Sequence, residues 1–236
     1  MGQSTRSSIV SQQLLLTVVE QLKVPFLQIA RQAEFGQLGG LIDLKDISVT
    51  ADSAIQLLDS YALGVRLSLY PQQLNLEPIS ISSILYETGQ QLDAYAKSYG
   101  IGLEVSVPRG FGPVLANRQG LQAALVSLGS ALIEALPALE SQQMKLRLAT
   151  HHCRYGIVAG LYTDTKELNN KTLKRGRELQ GQARQPLAGL SHGNGAGIFV
   201  ADAILHAMQL ELKVSRHHRL YGLGTVLKLS DQLQLV

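Results

Sequence analysis

Tryptophan is absent, cysteine occurs once, and aromatic residues make up only 5% of the 236 residues. The single cysteine, Cys153, excludes an intramolecular disulfide and a cysteine-rich zinc cluster. One thiol fits a reducing compartment, so a cytoplasmic location is the expectation. No apolar run reaches the roughly 18 residues a membrane span needs. The longest candidate, Leu14 to Val19, soon meets Glu20 and Lys23. The N-terminal stretch carries Arg6 and several serines but no long apolar core before a small-residue cleavage site, which predicts no signal peptide. No basic stripe alternates with aromatics, and a net charge of +3 is too small an excess for a nucleic-acid partner. Glycine has no triplet period, which excludes collagen. Histidine is missing from the first 150 residues; the first is His151.

What is present is ordinary globular composition, 45% apolar and 17% charged, enough for one large domain or two small ones. Charge is uneven. Residues 1–100 hold six Lys and Arg against nine Asp and Glu, and residues 101–236 hold fifteen against nine. The first third has helical periodicity. Leu15, Val18, Val19, Leu22, Phe26, Ile29, Ala30 and Ala33 recur at three and four residues, with Pro25 set to kink the helix. Gly36 and Gly39-Gly40 end it. A second stripe follows: Ile47, Ala51, Ala54, Ile55, Leu58, Ala62, Val65 and Leu69. Two helices with a short connection predict an antiparallel hairpin over residues 1–70. Such a hairpin has too little core to stand alone. Dimerisation into a four-helix bundle would bury both stripes; the alternative is packing on the rest of the same chain.

Tyr70 to Pro78 reads as a linker, with its two prolines against helix continuation. Beyond it, Ile81 to Tyr99 predicts a helix capped by Ser80 and closed by Gly100. Leu103, Val105 and Val107 alternate as a strand, Pro113 to Ala116 form a short one, and Leu121 to Leu132 form another helix. Met144 to Leu148 and Cys153 to Leu161 predict a strand hairpin turning at His151-His152. A helix from Ile198 to Met208 precedes two last strands, joined through His217 to Gly222. Residues 71–236 therefore predict an α+β domain, a largely antiparallel sheet with helices on one face.

The most specific motif is Gly193-Asn194-Gly195-Ala196-Gly197, which opens the helix at Ile198. Glycines at spacing two let the backbone approach closely, and a helix N-terminus behind them offers free N–H groups to a phosphate. The plain alternative is a flexible connection into a helix. With this motif in place, the chain resembles the catalytic core of a sensor histidine kinase. Residues 10–70 resemble its dimerisation and phosphotransfer hairpin, and residues 74–236 its Bergerat-type ATP-binding domain. Gly193 to Val200 is similar to the second glycine box, Leu74 to Ile81 to the start of the ATP-binding domain, Ile101 to Val105 to its next strand, and Gly224 to Leu229 to its closing strand. The resemblance implies a homodimer, ATP with Mg²⁺ as cofactors, and a response-regulator receiver domain or an active kinase as partner.

The departures from the family pattern carry as much weight. The family's phosphoacceptor histidine stands five residues before a proline; here that position holds Glu20, ahead of Pro25. The asparagine box falls on Arg118 to Ala135, where the Mg²⁺-binding and neighbouring positions hold Ser127 and Ser130. A hydroxyl is a poorer Mg²⁺ ligand than an amide carbonyl. The first glycine box falls after Leu161, where the resemblance makes Asp164 the adenine-reading carboxylate but the glycines are missing; a plain loop aspartate is the alternative. The resemblance thus assigns Gly193, Gly195, Gly197, Asp164, Ser127 and Ser130 to cofactor binding and Ser127 to the metal, and leaves no catalytic residue. Residues 164–192, rich in Lys and Arg, replace the ATP lid; a solvated basic loop is the alternative. His151-His152 and His217-His218 read as turn residues unsuited to chelation, and Cys153 as a small hydrophobe. The expected function is a signalling scaffold or regulator without histidine autophosphorylation. A divergent ATP-dependent kinase or ATPase, and an adaptor that binds no nucleotide, are the alternatives.

Overall fold

A computed structural model describes residues 19, 22–23, 25–70, 75–108, 110–136, 145–164, 173 and 196–230. Helix α1 covers residues 25–37, and α2 runs Leu44–Leu69. Asp43 starts α2 by accepting hydrogen bonds from Lys45 N at 2.9 Å and Asp46 N at 3.3 Å. The connection is tight. Phe35 packs over Gly40, Ile42 packs over Gly36, and Gly39 takes φ +82°. Residues of α1, α2 and Tyr99 line one groove, so the two helices lie side by side as the hairpin required.

The buried face of α2 differs from the expected stripe. Ala54, Leu57, Ser60, Gly64 and Leu67 are buried, whereas Ile55 and Leu58 are exposed. The cause is steric. Gly64 places its backbone close to Ile204, 3.1 Å from where a β-carbon would stand, so the small residues mark the contact side. Helix α2 therefore packs on the rest of its own chain and still presents a second apolar stripe outward.

The expected linker contains strand β1 (Glu77–Ile79), which pairs antiparallel with β3 (Val114–Ala116). Pro78 is tolerated because this ribbon has only two strands. Helix α3 (Ile81–Ser98) is capped by the Ser80 hydroxyl, which accepts from Ser83 N. Gly100, at φ +69°, turns the chain into β2 (Gly102–Ser106). Asn117 caps α4 (Arg118–Ala135), accepting from Gly120 N at 2.8 Å, and its amide donates to Asn75 O. Strands β4 (Lys145–Cys153) and β5 (Gly156–Thr163) form the hairpin. Helix α5 (Ala196–Ala207) precedes β6 (Lys213–His217) and β7 (Leu220–Leu227).

The main sheet has the order β2-β4-β5-β7-β6, with β2 parallel to β4 and every other pair antiparallel. The protein is α+β, and α3 and α4 cover one face of the sheet. Close approaches set these contacts. A β-carbon on Gly129 of α4 would meet Leu92 of α3 at 2.3 Å, and one on Gly89 of α3 would meet Val105 of β2 at 2.6 Å. Leu92, Leu121, Leu128, Leu148, Leu161 and Phe199 are almost fully enclosed, and truncating any of them to alanine costs about 2–5 kcal/mol.

Both expected turns are corrected. The β4–β5 turn is Arg154-Tyr155, and His151 and His152 remain in the strand. The deciding residue is Gly156 at φ +140°, where a β-carbon would stand 2.1 Å from Leu227 O. The β6–β7 turn is only His218-Arg219, with His217 paired to Leu220.

Candidate functional site

Twelve of the eighteen residues of α4 are apolar or glycine, which pulls most of its circumference inward. Ser127 is carried in with it and is 2% exposed. Its hydroxyl oxygen has no hydrogen-bond partner among the described residues. Ser130, one turn on, is half-buried. Helix α5 closes on α4 from the side: a β-carbon on Gly197 would meet Ser127 O at 2.2 Å and Ala131 Cβ at 3.0 Å. The third wall is α2, through Ala54, Leu57 and Ser60. Only about 20 Å³ remains open beside Ser127 and Ser130.

The structure thus brings together Ser127, Ser130 and Gly197. Asp164 does not line this junction; it is exposed at the end of β5, where it accepts from the Thr163 hydroxyl at 3.2 Å. Glu20, Gly193 and Gly195 lie outside the described residues, as does nearly all of the basic segment 164–192. Of that segment's interior only Leu173 is described, and it is buried.

A polar cluster at this junction escaped the sequence reading. The Tyr95 hydroxyl donates to Glu134 Oε1 at 2.9 Å and lies 3.3 Å from the Tyr99 hydroxyl. The two rings meet edge to face at 5.1 Å. Burial, then the Glu134 charge, pushes the Tyr95 hydroxyl far above the usual phenol range. A signal was available: Glu134 is the only acid of α4, and Tyr95 and Tyr99 share a helix face at spacing four.

No family model matches the chain, and no curated protein matches it. Solved structures do. The chain is 14% identical to the Acinetobacter baumannii histidine kinase AdeS, with a TM-score of 0.53 over 90% of this chain and 98% of that one. It is 14% identical to histidine kinase ThkA, solved in complex with response regulator protein TrrA, with a TM-score of 0.54 over 96% of this chain and 64% of ThkA. It is 13% identical to full-length ShkA in complex with AMPPNP, with a TM-score of 0.50 over 97% of this chain and 46% of that one.

The fold is that of a histidine kinase catalytic core. On this histidine kinase fold α4 is the helix that resembles the asparagine box, and its two serines face α2. A small-molecule site needs about 300 Å³ or more. The described residues around Ser127 leave far less, so with α2 seated they do not fit a nucleotide. Among the described residues no three His, Cys, Asp or Glu side chains are grouped to hold a metal ion. No described helix is long and apolar enough to cross a membrane.

Proposed function

We propose that the chain is a histidine-kinase-like signalling protein that works as a scaffold or regulator and does not autophosphorylate on histidine. The observation that supports this best is the sealed Ser127: α5 presses on one side of it and α2 on the other. Glu20 at the phosphoacceptor position, with no histidine before His151, agrees with it. A carboxylate there would give an acyl phosphate, not a phosphoramidate.

In this reading residues 1–70 form the dimerisation unit and residues 71–236 the ATP-binding-type domain of a cytoplasmic homodimer. The outward stripe of α2, Ile55 and Leu58, with Phe26 and Leu27 of α1, supplies the apolar surface for a second copy. The ThkA complex with TrrA supports a response regulator as partner; an active partner kinase is the other docking candidate. The test is incubation with γ-labelled ATP and Mg²⁺. No label on the chain is expected, and label incorporated at any residue overturns the scaffold.

A second reading, an active but divergent kinase or ATPase, is favoured by the fold shared with ShkA, which was solved with AMPPNP. It requires α2 to leave the α4–α5 junction before ATP and Mg²⁺ reach Ser127. Mg-ATP raising the melting temperature of the full chain would favour it.

A further inference from the structure

The sheet face turned away from α3 and α4 is built unlike the covered one. Along β5, Ile157, Ala159 and Leu161 point into the core, so Val158, Gly160 and Tyr162 point outward. Tyr162 is nevertheless fully buried. Its hydroxyl lies 3.4 Å from Ser215 Oγ, and its ring lies 6.1 Å from His151 and 5.3 Å from His217, centroid to centroid. The His151 and His217 rings are 5.5 Å apart, and His218 stands edge-on to His217 at 4.4 Å. His218 holds a left-handed backbone, φ +52°, in a turn position where glycine or asparagine is usual.

His151, His217 and His218 border an open pocket of about 360 Å³, lined also by His152, Arg216 and Phe111. Three properties define its occupant. The first is charge: five of the lining residues are histidine or arginine and none is acidic. Arg216 lies over the Tyr221 ring, not on a carboxylate. Glu104, on the adjoining strand β2, is held by Arg147 at 2.6 Å and Lys145 at 3.4 Å. The second is an unmet polar atom, since His151 Nδ1 is buried without a hydrogen-bond partner among the described residues. The third is a flat apolar wall, Phe111, whose ring sits 4.6 Å from His152. A metal ion does not suit the cluster, because no three ligands among the described residues are grouped for one.

We propose that this pocket binds a small organic anion, a carboxylate or phosphate carried on a flat ring, with the imidazoles and Arg216 meeting the oxyanion and Phe111 stacking on the ring. Burial holds His217 below its usual value, and His218, His151 and Arg147 add to this; burial and His218 do the same to His151. An anion reverses that repulsion, so binding takes up protons and tightens as pH falls. The site lies in β4, β6 and the loop after β2, away from α4 and α5, so it stands whether or not the scaffold reading does.

The test uses the full chain and two organic probes, phenyl phosphate and benzoate, with inorganic phosphate as the ringless control. Binding is read by calorimetry and by histidine-ring NMR signals. We expect the ring signals of His151, His152, His217 and His218 to move, and affinity to be at least about tenfold higher near pH 6 than near pH 8. The tighter organic probe names the headgroup, and inorganic phosphate binds more weakly than phenyl phosphate. His217→Gln abolishes binding; Arg216→Gln and His218→Gln, both at exposed positions, weaken it by about fivefold or more and keep the test valid if the buried variant fails to fold. No shift at about 10 mM of either probe, shifts confined to His192 and His206, or affinity unchanged in the Arg216 and His218 variants overturns the proposal.

Discussion

Gly197 of α5 rests against the carbonyl oxygen of Ser127 on α4, with 2.2 Å separating that oxygen from the place a β-carbon would take. The obstacle is backbone, so no rotamer change relieves it. Gly197→Ala gains helix propensity of about 1 kcal/mol, while the forced separation of helices costs about 1–3 kcal/mol. The expected result is a lower urea midpoint. A raised midpoint would mean that α5 is not pressed on α4.

Ser127→Ala tests the other side of the same contact. The hydroxyl is buried and unpaired among the described residues, so removing it gives up no hydrogen bond with them. Stability is expected to hold or to rise by up to about 1 kcal/mol. A loss of about 2 kcal/mol or more would reveal a partner for the oxygen.

The histidines set an acid limit. His151 and His217 have folded values below the unfolded one, so the native state binds fewer protons. Their contribution to stability is complete above about pH 6.5 and is lost as pH falls through the lowered values. Arg147 holds the Glu104 carboxyl below the ordinary carboxylate range, and its contribution fades only at more acid pH. Urea midpoints across this range should fall first in the histidine window, and His151→Gln should flatten that part of the curve. An unchanged slope would contradict the assignment.

Tyr95 sets an alkaline limit. Its folded value lies far above the unfolded one, so its contribution is present below about pH 10 and disappears as pH rises beyond that. Tyr95→Phe should cost about 1–2 kcal/mol at neutral pH through the lost bond to Glu134. It should also lessen the alkaline loss, measured as unfolding free energy between about pH 8 and pH 11.

The outward face of α2 gives a fifth handle. Leu58 is exposed and distant in phase from Leu57, which joins the core. Leu58→Glu should leave the circular dichroism unchanged and convert a dimer to a monomer in sedimentation. A monomeric parent chain would remove the homodimer from the proposal.

Much of the fold was legible in local signals. Ser80 and Asn117 are short polar residues ahead of apolar periods, and both cap helices. Gly100 ends a helix because glycine takes the left-handed conformation there at no steric cost. Other features were hidden for physical reasons. Polar histidines before Cys153 look like a turn, but a polar strand end on an outward face has the same pattern. In α2 the largest apolar residues pointed to one face while Ser60 and Gly64 packed on another, because close helix contact selects small residues over hydrophobic ones. At the candidate site, Ser127 and Ser130 were named through resemblance alone. Their enclosure by α2 is a contact across some seventy residues that no local periodicity records.

The parallel pairing of β2 with β4 has a kinetic consequence. Hairpins β4–β5 and β6–β7 join neighbours in the chain and can zip locally. Leu103 must find Leu146 across an intervening ribbon strand and the whole of α4. Closing so wide a loop is entropically costly, which places the docking of this edge strand late in refolding, after α4 has been laid on the central hairpin. Until then the β4 flank presents unsatisfied amides, and self-association of half-folded chains should begin along that margin.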